Sequence, residues 1–289
     1  MKRHSTMILS FHPCYTADHQ IILGDRNLES KDLQKIHHAH IIILPQSCKQ
    51  ALYHACKNST AYLFPNYDTR FAYPGKAGQS LLFAEKGFSH PKTLTWSSVK
   101  EFRAACKESC PHRMPFLFKG NMSHEAEGLY LIENSESLES ALNRLNADGE
   151  SPSSAFISQD LIPTDGNVLR VVIMGSDMIS YWKRPERPGQ VITTVSKGAI
   201  LDKKWRPDLQ EKGRNQAQRF SAVTGVNLAA IDFLFPLNVN DPQPVFMEIN
   251  YYFGRRGLGG SLNYYRLLGD ALKKWISDKG FDATSVKLI

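Results

Sequence analysis

Two acidic residues and an asparagine in the last quarter of the chain have the types and spacing of a metal site. Asp232 lies within the apolar run 227–235. Glu248 and Asn250 lie two positions apart in the next run, 245–250, and so share one face of a strand. If a symmetric hairpin joins the runs, Asp232 lies opposite Glu248, with Cβ atoms about 5 Å apart. Such oxygen ligands favour Mg²⁺, with phosphates completing the coordination, although a hydrogen-bonded acid pair or a different register is the alternative.

The runs around these residues predict different architectures for the two ends of the chain. Up to residue 85, short apolar runs alternate with helix-like stretches, which predicts a small parallel α/β domain. In the last third, short turns join the apolar runs, which predicts antiparallel strands. The predicted strands are residues 7–11, 21–23, 40–44, 61–64, 115–120, 128–132, 155–161, 167–174, 178–183, 191–195, 227–235 and 245–250. The predicted helices are residues 30–38 (capped by Ser30), 46–57, 75–87, 97–110, 135–146, 207–224 and 264–279.

The candidate metal residues belong to a longer series of motifs. Residues 229–232 (AAID) and 247–250 (MEIN) resemble the closing motif of the ATP-grasp superfamily, above all its ribosomal-protein-modifying and glutathione-synthase-like carboxylate–amine ligases. The resemblance extends over residues 60–279, because the family's other motifs precede this one in the same order. They are a Pro-x-Thr element at 91–93, a strand ending on Lys119, a hinge at 156–162, a strand at 167–172, a basic strand end at 181–184 and a loop at 193–198.

The resemblance implies an α+β ATP-grasp fold, in which two α+β subdomains clamp ATP after a small α/β pre-ATP-grasp domain. We expect the N-terminal domain at residues 1–88, the central ATP-grasp subdomain at 89–158 and the metal-bearing C-terminal subdomain at 159–289. The implied reaction is ATP-dependent joining of a carboxylate to an amine, or to a similar nucleophile, through an acyl phosphate. Its cofactors would be ATP and Mg²⁺, for which Mn²⁺ could substitute, and its substrates small molecules or peptides.

The resemblance also implies roles for individual residues. Asp232, Glu248 and Asn250 would hold the metal. Arg170, Arg255 and Arg256 would act on the reacting groups, since a guanidinium fork suits a carboxylate or an acyl phosphate. Lys76 and Lys119 would contact the ATP phosphates. The hinge backbone at Gln159, Asp160, Leu161 and Ile162 would contact adenine, with Asp160 near the ribose. The later cations Lys183, Arg184 and Lys197 would also line the ATP site. For these cations, a structural ion pair or an exposed charge is the alternative.

Three departures from the family pattern leave the acceptor open. The loop after Lys119 has glycine only at its ends, positions 120 and 128, where the family has a glycine-rich phosphate loop. Val168 stands where an Asp usually lies two residues before the post-hinge arginine. After Asn250 the chain reads YYFGRRGLGG in place of small residues and Pro-Gly. A second hypothesis is therefore the same fold phosphorylating another acceptor or sensing a nucleotide.

Composition limits the compartment and the partners. The 42% of hydrophobic residues excludes a disordered chain, and no apolar run reaches the roughly 18 residues of a membrane helix. Five irregularly spaced cysteines suit reduced thiols in the cytoplasm. The net charge of +7 would suit a polyanion-binding protein, but residues 183–214 hold nine Lys/Arg and four Asp/Glu, so +5 of it is local. We interpret this stretch as a cationic wall beside a nucleotide. Nucleic acid is therefore not expected as a partner. Homo-oligomerisation is possible.

Overall fold

The computed structural model describes residues 6–121, 128–147, 155–187, 189–190 and 198–289. Within these residues the strands form three larger sheets and one two-stranded ribbon. The first sheet is parallel, in the order β3–β1–β4–β5, which confirms the predicted parallel architecture. Its strands are β1 (Ile8–Ser10), β3 (His19–Gln20), β4 (Ile41–Ile43) and β5 (Tyr62–Phe64), and β2 (Tyr15–Thr16) lies outside it.

Four helices accompany this sheet in the chain. They are α1 (Ser30–His38), α2 (Gln50–Lys57), α3 (Asp68–Ala72) and α4 (Gly75–Glu85). Helix α1 has the predicted bounds, but its N-cap is Glu29 and not Ser30. The reason is that the Glu29 backbone N–H donates to the Asp32 carboxylate at 2.9 Å, so the helix is capped one residue earlier.

The central sheet is antiparallel and ordered β6–β9–β7–β8. Its strands are β6 (Thr93–Trp96), β7 (Phe116–Gly120), β8 (Leu129–Ile132) and β9 (Phe156–Asp160), and helices α5 (Val99–Glu108) and α6 (Ser135–Ala147) accompany it. The aromatic rings of Trp96, Phe102, Phe116 and Phe118 form the buried core between sheet and helices. The domain boundary predicted between residues 158 and 159 falls inside β9, two residues before that strand ends.

The C-terminal sheet is antiparallel and ordered β12–β11–β10–β13–β14. Its strands are β10 (Val168–Met174), β11 (Asp177–Arg184), β12 (Ile200–Asp202), β13 (Leu228–Leu234) and β14 (Val245–Asn250). Helix α7 (Pro207–Thr224) packs on one face and α8 (Gly260–Asp278) on the other. The alternation along β10 explains this arrangement, because Leu169 and Val171 pack with Phe220 of α7, whereas Val172 packs with Leu268 of α8.

The N-terminal and C-terminal sheets share their hydrophobic cores. One core joins Leu9 and Ile42 to Leu169 and Phe220, and a second joins Ile8 to Leu268. The last strand, β15 (Lys287–Leu288), pairs with β2. The aromatic core of the central sheet stays separate from both. The two terminal sheets therefore form one packed body, and the central sheet forms another.

Several predicted elements differ from the observed ones. Residues 21–23 form no strand, because β3 ends at Gln20 and Gly24 turns the chain with φ +56°. Helix α2 begins at Gln50, four residues later than predicted, after a turn in which the Cys48 N–H donates to the Pro45 carbonyl. Helix α8 begins at Gly260, four residues earlier than predicted. The predicted strand 191–195 lies outside the described residues. Among the helices that are described, none is long and apolar enough to cross a membrane.

Candidate active site

A cavity lies where α4 and the central sheet meet β14, the edge strand of the C-terminal sheet. Four predicted site residues line it: Lys76 from α4, Lys119 from β7, Gln159 from β9 and Glu248 from β14. Its other lining residues are Ser80, Phe83, His90, Ile157, Phe246 and Met247. The backbone of α4 is fixed to β14 by Gln79, whose side chain exchanges two 2.8 Å hydrogen bonds with the backbone of Ile249.

Asp232 is the centre of a buried ion-pair network beside this cavity. It lies opposite Glu248 on β14, as predicted, and opposite Arg170 on β10. Arg170 donates from Nε to Oδ1 and from Nη2 to Oδ2, both at 2.7 Å. Lys183 of β11 donates to Oδ2 at 2.9 Å. Because Asp232 is only 1% exposed, these bonds replace the hydration that its charge requires.

The network keeps the Asp232 carboxylate and the Arg170 guanidinium charged. Burial alone would raise the pKa of Asp232, but Arg170 and Lys183 hold that pKa far below its ordinary value. Burial would lower the pKa of Arg170, and the bonds to Asp232 raise it above its ordinary value. The pKa of Lys183 is lowered by burial and by Arg170, against the opposing effect of Asp232. Arg170 and Lys183 thus form ion pairs with Asp232 and position its carboxylate. For these two cations the structure has the ion pair that was the alternative to direct contact with ATP or substrate.

The residues present fit a hard divalent cation in one particular arrangement. Among the described residues, Asp232 Oδ2 accepts from Arg170, Lys183 and, at 3.4 Å, the Asn250 amide nitrogen, whereas Oδ1 accepts from Arg170 alone. A carboxylate has about four lone-pair positions, so the open position lies on Oδ1. The side-chain oxygen of Asn250 takes no part in its bond to Asp232, and no described residue donates to the Glu248 carboxylate. The described ranges contain no group of three or more His, Cys, Asp or Glu side chains that could hold a metal. A metal bound by Asp232 and Glu248 would therefore need the Asn250 oxygen as its third protein ligand.

Two lysines face the acids across the cavity. Lys119 is partly buried, and its Nζ donates to Gln159 Oε1 at 2.6 Å, while Gln159 Nε2 donates to Thr93 Oγ1 at 2.8 Å. The pKa of Lys119 is lowered to about 8, mainly by desolvation and also by the charge of Lys76, against the opposing charges of Glu248 and Asp232. Burial also lowers the pKa of Lys76, against the opposing effect of Glu248. Two desolvated ammonium groups in one cavity are suited to a polyanion.

The hinge strand β9 places its side chains on two faces. Gln159 points into the cavity, whereas Asp160 and Ser158 point to the opposite face, where His112 lies between them. The Trp96 indole can only donate, and it donates to Ser158 Oγ at 2.8 Å. The Asp160 carboxylate can only accept, so His112 Nδ1 donates to Asp160 Oδ1 (2.6 Å), and His112 Nε2 shares a 2.7 Å hydrogen bond with Ser158 Oγ. The Asp160 carboxylate is thus turned away from the cavity-facing Gln159, and its contact with a ribose stays a prediction.

The remaining predicted nucleotide residues take different positions. Leu161 and Ile162 follow β9, and Ile162 packs against Val168 and Leu234. Arg184 donates to Asp202 at 2.9 Å, and its guanidinium lies 4.4 Å from the Trp205 ring centroid, so it is held at the β11–β12 edge and not in the cavity. Lys197 lies outside the described residues.

Many of the cations between residues 183 and 214 have partners of their own. Besides Lys183 and Arg184, which bind Asp232 and Asp202, three more described cations contact acids or hydroxyls. These are Arg206, which pairs with Asp208, Lys212, which pairs with Asp241, and Arg214, which donates to Ser180 Oγ. Asp202 and Asp208 are already counted in the local charge of +5, so only the contacts with Asp232 and Asp241, which lie outside the stretch, reduce it, to +3.

The loop after β14 carries the predicted Arg255 and Arg256. The Arg255 guanidinium lies between the rings of Tyr264 and Tyr265, 4.7 and 4.6 Å from their centroids. Arg256 is exposed and begins a short 3₁₀ helix, Arg256–Leu258. The loop contacts the ion-pair network through Gly257, which packs on the ring of Tyr181. Tyr181 pairs with Arg170 across β10 and β11. Sequence reasoning assigned no role to Tyr181, although it lies two positions before Lys183 and so shares its face.

The Gly257–Tyr181 contact has no room for a side chain. A Cβ on Gly257 would lie 2.1 Å from Tyr181 Cζ, so we expect Gly257→Ala to shift either the ring or the loop and to destabilise the protein by about 1–3 kcal/mol. Urea unfolding measures the effect. The matched control is Gly254→Ala in the same loop, where a Cβ meets nothing within 4 Å. Equal stabilities of the two variants would contradict the close contact.

Comparisons with known proteins agree with this geometry. The profile of the RimK-like ATP-grasp domain matches residues 76–261, more than half of the chain. No curated protein sequence matches significantly. Among solved structures, a RimK domain protein ATP-grasp from Sphaerobacter thermophilus is 13% identical, with a TM-score of 0.58 over 92% of this chain and 99% of the other.

Two ligase structures are similarly close in fold. D-alanine–D-alanine ligase from Bacillus anthracis is 14% identical, with a TM-score of 0.59 over 88% of this chain and 86% of the other. The ATP-grasp ligase PsnB, complexed with precursor peptide PsnA2 and AMPPNP, is 13% identical, with a TM-score of 0.57 over the same shares of 88% and 86%. These identities support the fold, and the matched domain profile extends from Lys76 through the acids of β13 and β14 to the loop that follows them. The chain therefore has the ATP-grasp fold and belongs to the RimK-like ATP-grasp family.

Proposed function

We propose that this chain is an ATP- and Mg²⁺-dependent ligase that joins a carboxylate to an amine, or to a similar nucleophile, through an acyl phosphate. The observation that carries the proposal is the pair Asp232 and Glu248, opposed on adjacent strands beside a cavity lined by Lys76 and Lys119. Phosphoryl transfer needs mainly positioned positive charge around the phosphates. Two acids to hold a metal and two partly buried lysines supply such an arrangement.

Each side chain then has a defined task. Lys76 and Lys119 would bind phosphate oxygens, and the hydrogen bond from Lys119 to Gln159 fixes the lysine at the end of β7. Asp232, through Oδ1, would hold the metal with Glu248 and Asn250. Mg²⁺, or Mn²⁺ in its place, would neutralise phosphate charge when bound. The backbone of residues 159–162 would contact adenine, at the junction of the central and C-terminal sheets.

The acceptor side of the reaction would be formed by the loop after β14. Arg255 and Arg256 would bind a substrate carboxylate or the acyl phosphate that forms from it. Arg170 does not reach a reacting group in this arrangement, because both of its bonds go to Asp232, and it is a positioning residue. A small-molecule or peptide substrate fits the relatives described as D-alanine–D-alanine ligase and as PsnB with its precursor peptide. We place the reaction in the cytoplasm, where ATP and reduced thiols coexist.

We expect Mg²⁺-ATP to raise the melting temperature of the wild type and to have little effect on Glu248→Gln. Glu248 receives no hydrogen bond from the described residues, so the variant should fold normally while losing one anionic ligand. Thermal shift with and without Mg²⁺ measures this, and Glu133→Gln, an exposed residue of the central unit, is the control. An equal Mg²⁺-dependent shift in the wild type and Glu248→Gln would contradict the metal assignment.

Turnover separates the ligase from the alternative. A screen that pairs amino acids and small carboxylic acids with amines should give ADP and phosphate for at least one pair. Acyl phosphate formation is tested by trapping with hydroxylamine. If ATP binds but no pair releases ADP, the second hypothesis, a nucleotide-sensing protein or one with another phosphoryl acceptor, replaces the ligase.

A further inference from the structure

Three side chains from distant parts of the chain surround the ring of Tyr265. His12 lies in the loop after β1, with its ring centroid 5.9 Å from that of Tyr265. Arg255 comes from the loop after β14, and its guanidinium lies 4.6 Å from the same ring. Tyr264 precedes Tyr265 in α8, with ring centroids 5.1 Å apart. His12 follows the carboxyl end of a parallel strand, the edge at which such sheets commonly bind ligands.

The contacts of His12 define its tautomer. The backbone N–H of Cys14 donates a hydrogen bond to His12 Nδ1 at 3.0 Å. In the neutral imidazole the ring proton is therefore on Nε2. Burial and the neighbouring charge of Arg255 lower the pKa of His12 to about 4, so the ring is neutral near pH 7. No described residue accepts a hydrogen bond from Nε2, although His12 is only 6% exposed. His12 Nε2 is therefore a donor that has no acceptor among the described residues and keeps some access to solvent.

In the described part of the chain, one neighbour of His12 is a buried hydroxyl without a partner, and the other is a cation without a carboxylate. The Tyr264 hydroxyl is buried and has no hydrogen-bond partner. Arg255 forms no ion pair with any carboxylate in the described ranges; it lies on the two tyrosine rings. Buried donors are normally paired, so a buried unpaired hydroxyl, an imidazole donor without an acceptor and a guanidinium without a carboxylate in one cluster indicate an anion with several lone pairs.

The cluster is connected to the proposed reaction centre. Arg255 lies two residues before Gly257, which packs on Tyr181 beside the Arg170–Asp232 pair. The loop has free space on either side of Arg255, because a Cβ on Gly254 or on Gly260 would meet nothing within 4 Å. We propose that His12, Arg255 and Tyr264 form the site for a carboxylate of the acceptor substrate, with neutral His12 as a hydrogen-bond donor and not as a base. The acceptor role rests on the proposed ligase function, whereas carboxylate binding does not.

Nuclear magnetic resonance can test the binding without turnover. With ¹⁵N-labelled protein, we expect the His12 ring to show the neutral Nε2–H tautomer. N-acetylglycine, a planar monocarboxylate, should shift the His12 Nε2 and Arg255 Nε signals in the absence of ATP. Inorganic phosphate is the competing probe. No shift of either signal with N-acetylglycine would overturn the site, and tighter binding of phosphate than of N-acetylglycine would overturn the assignment to a carboxylate.

A matched pair of variants separates binding from folding at His12. His12→Gln keeps a donor near the Nε2 position, so the Kd for N-acetylglycine should stay within about threefold of the wild type. His12→Asn keeps an acceptor near the Nδ1 position for the Cys14 N–H and should weaken binding about tenfold. Arg255→Met should lose at least as much, and Arg266→Met, an exposed arginine on α8, is the control. Equal Kd values for the two His12 variants would assign His12 a structural role only.

Tyr264→Phe gives a readout that a structural role would not produce. Its hydroxyl has no partner in the free protein, so removing it should leave the melting temperature unchanged or raise it. The same change should weaken N-acetylglycine binding about fivefold, because the hydroxyl would bind the anion. A lowered melting temperature with unchanged binding would overturn the role of Tyr264. If ADP release fails for every substrate pair while N-acetylglycine still binds, the ligase function fails and the carboxylate site stands.

Discussion

Replacement of Asp232 by alanine is expected to lower the free energy of unfolding by about 3–5 kcal/mol, because it leaves Arg170 and Lys183 buried without a counter-ion. Denaturant unfolding monitored by circular dichroism measures the loss. Asp177→Ala is the matched control, since Asp177 forms an exposed pair with Lys274 that should contribute about 0–1 kcal/mol. Similar losses for the two variants would show that the buried network is not what stabilises the C-terminal sheet.

The pH dependence of the same network gives a second measurement. The pKa of Asp232 is held far below the ordinary Asp value of about 3.9, so its stabilising effect is present above about pH 4 and is lost as the pH falls below that. The difference in unfolding free energy between the wild type and Asp232→Asn should therefore be constant near neutral pH and shrink in acid. A difference that does not change down to about pH 2 would contradict the proposed charge of Asp232.

The second large effect is expected at Lys119, where Lys119→Met should weaken ATP binding about 10- to 100-fold. The ammonium is desolvated in the cavity and hydrogen-bonded to Gln159. It can therefore donate to a phosphate oxygen with little further loss of side-chain conformational entropy. Isothermal titration calorimetry with Mg²⁺-ATP measures the change. Lys100→Met, on the exposed side of α5, is the control. Unchanged affinity in Lys119→Met would remove this lysine from the nucleotide site.

The lowered pKa of Lys119 adds a pH signature to this prediction. Its pKa of about 8 in the free protein means that the side chain is cationic below pH 8 and neutral above it. ATP affinity should therefore be level up to about pH 7 and fall as the pH rises through 8. Lys119→Arg should reduce this fall, because guanidinium stays charged. It should not abolish the fall, since burial also lowers the pKa of Lys76.

Local patterns in the sequence were enough to predict much of the site. The opposition of Asp232 and Glu248 followed from hairpin symmetry, and the structure has that pair, although the register shifts by one residue between Asp232 and Phe233. The strand ending on Lys119 and the hinge at Gln159 followed from motif order, and both side chains line the cavity. These inferences succeeded because each depends on one strand, or on two strands joined by a short connection.

Features that depend on distant pairings could not be predicted in the same way. The pairing of Asp232 with Arg170 and Lys183 needs the relative registers of β10, β11 and β13, which no local pattern determines. The orientation of Asp160 toward His112 depends on the segment between α5 and β7. The cluster of His12, Arg255 and Tyr264 joins residues about 250 positions apart. In each case the sequence indicated a charged or polar group and left its partner open.

The pairing of β15 with β2 has a mechanical consequence. Together with the shared cores, it binds both ends of the chain into a single rigid frame that includes the acids of β13 and β14. The central sheet, with Lys119 and Gln159, has a separate core and contacts that frame at the start of α4, where the backbone N–H groups of Lys76 and Ala77 donate to Asn121. We therefore expect the central sheet to move when a nucleotide enters. The joined N-terminal and C-terminal sheets, with the metal ligands and the His12–Arg255 cluster, should keep their shape during nucleotide binding and release.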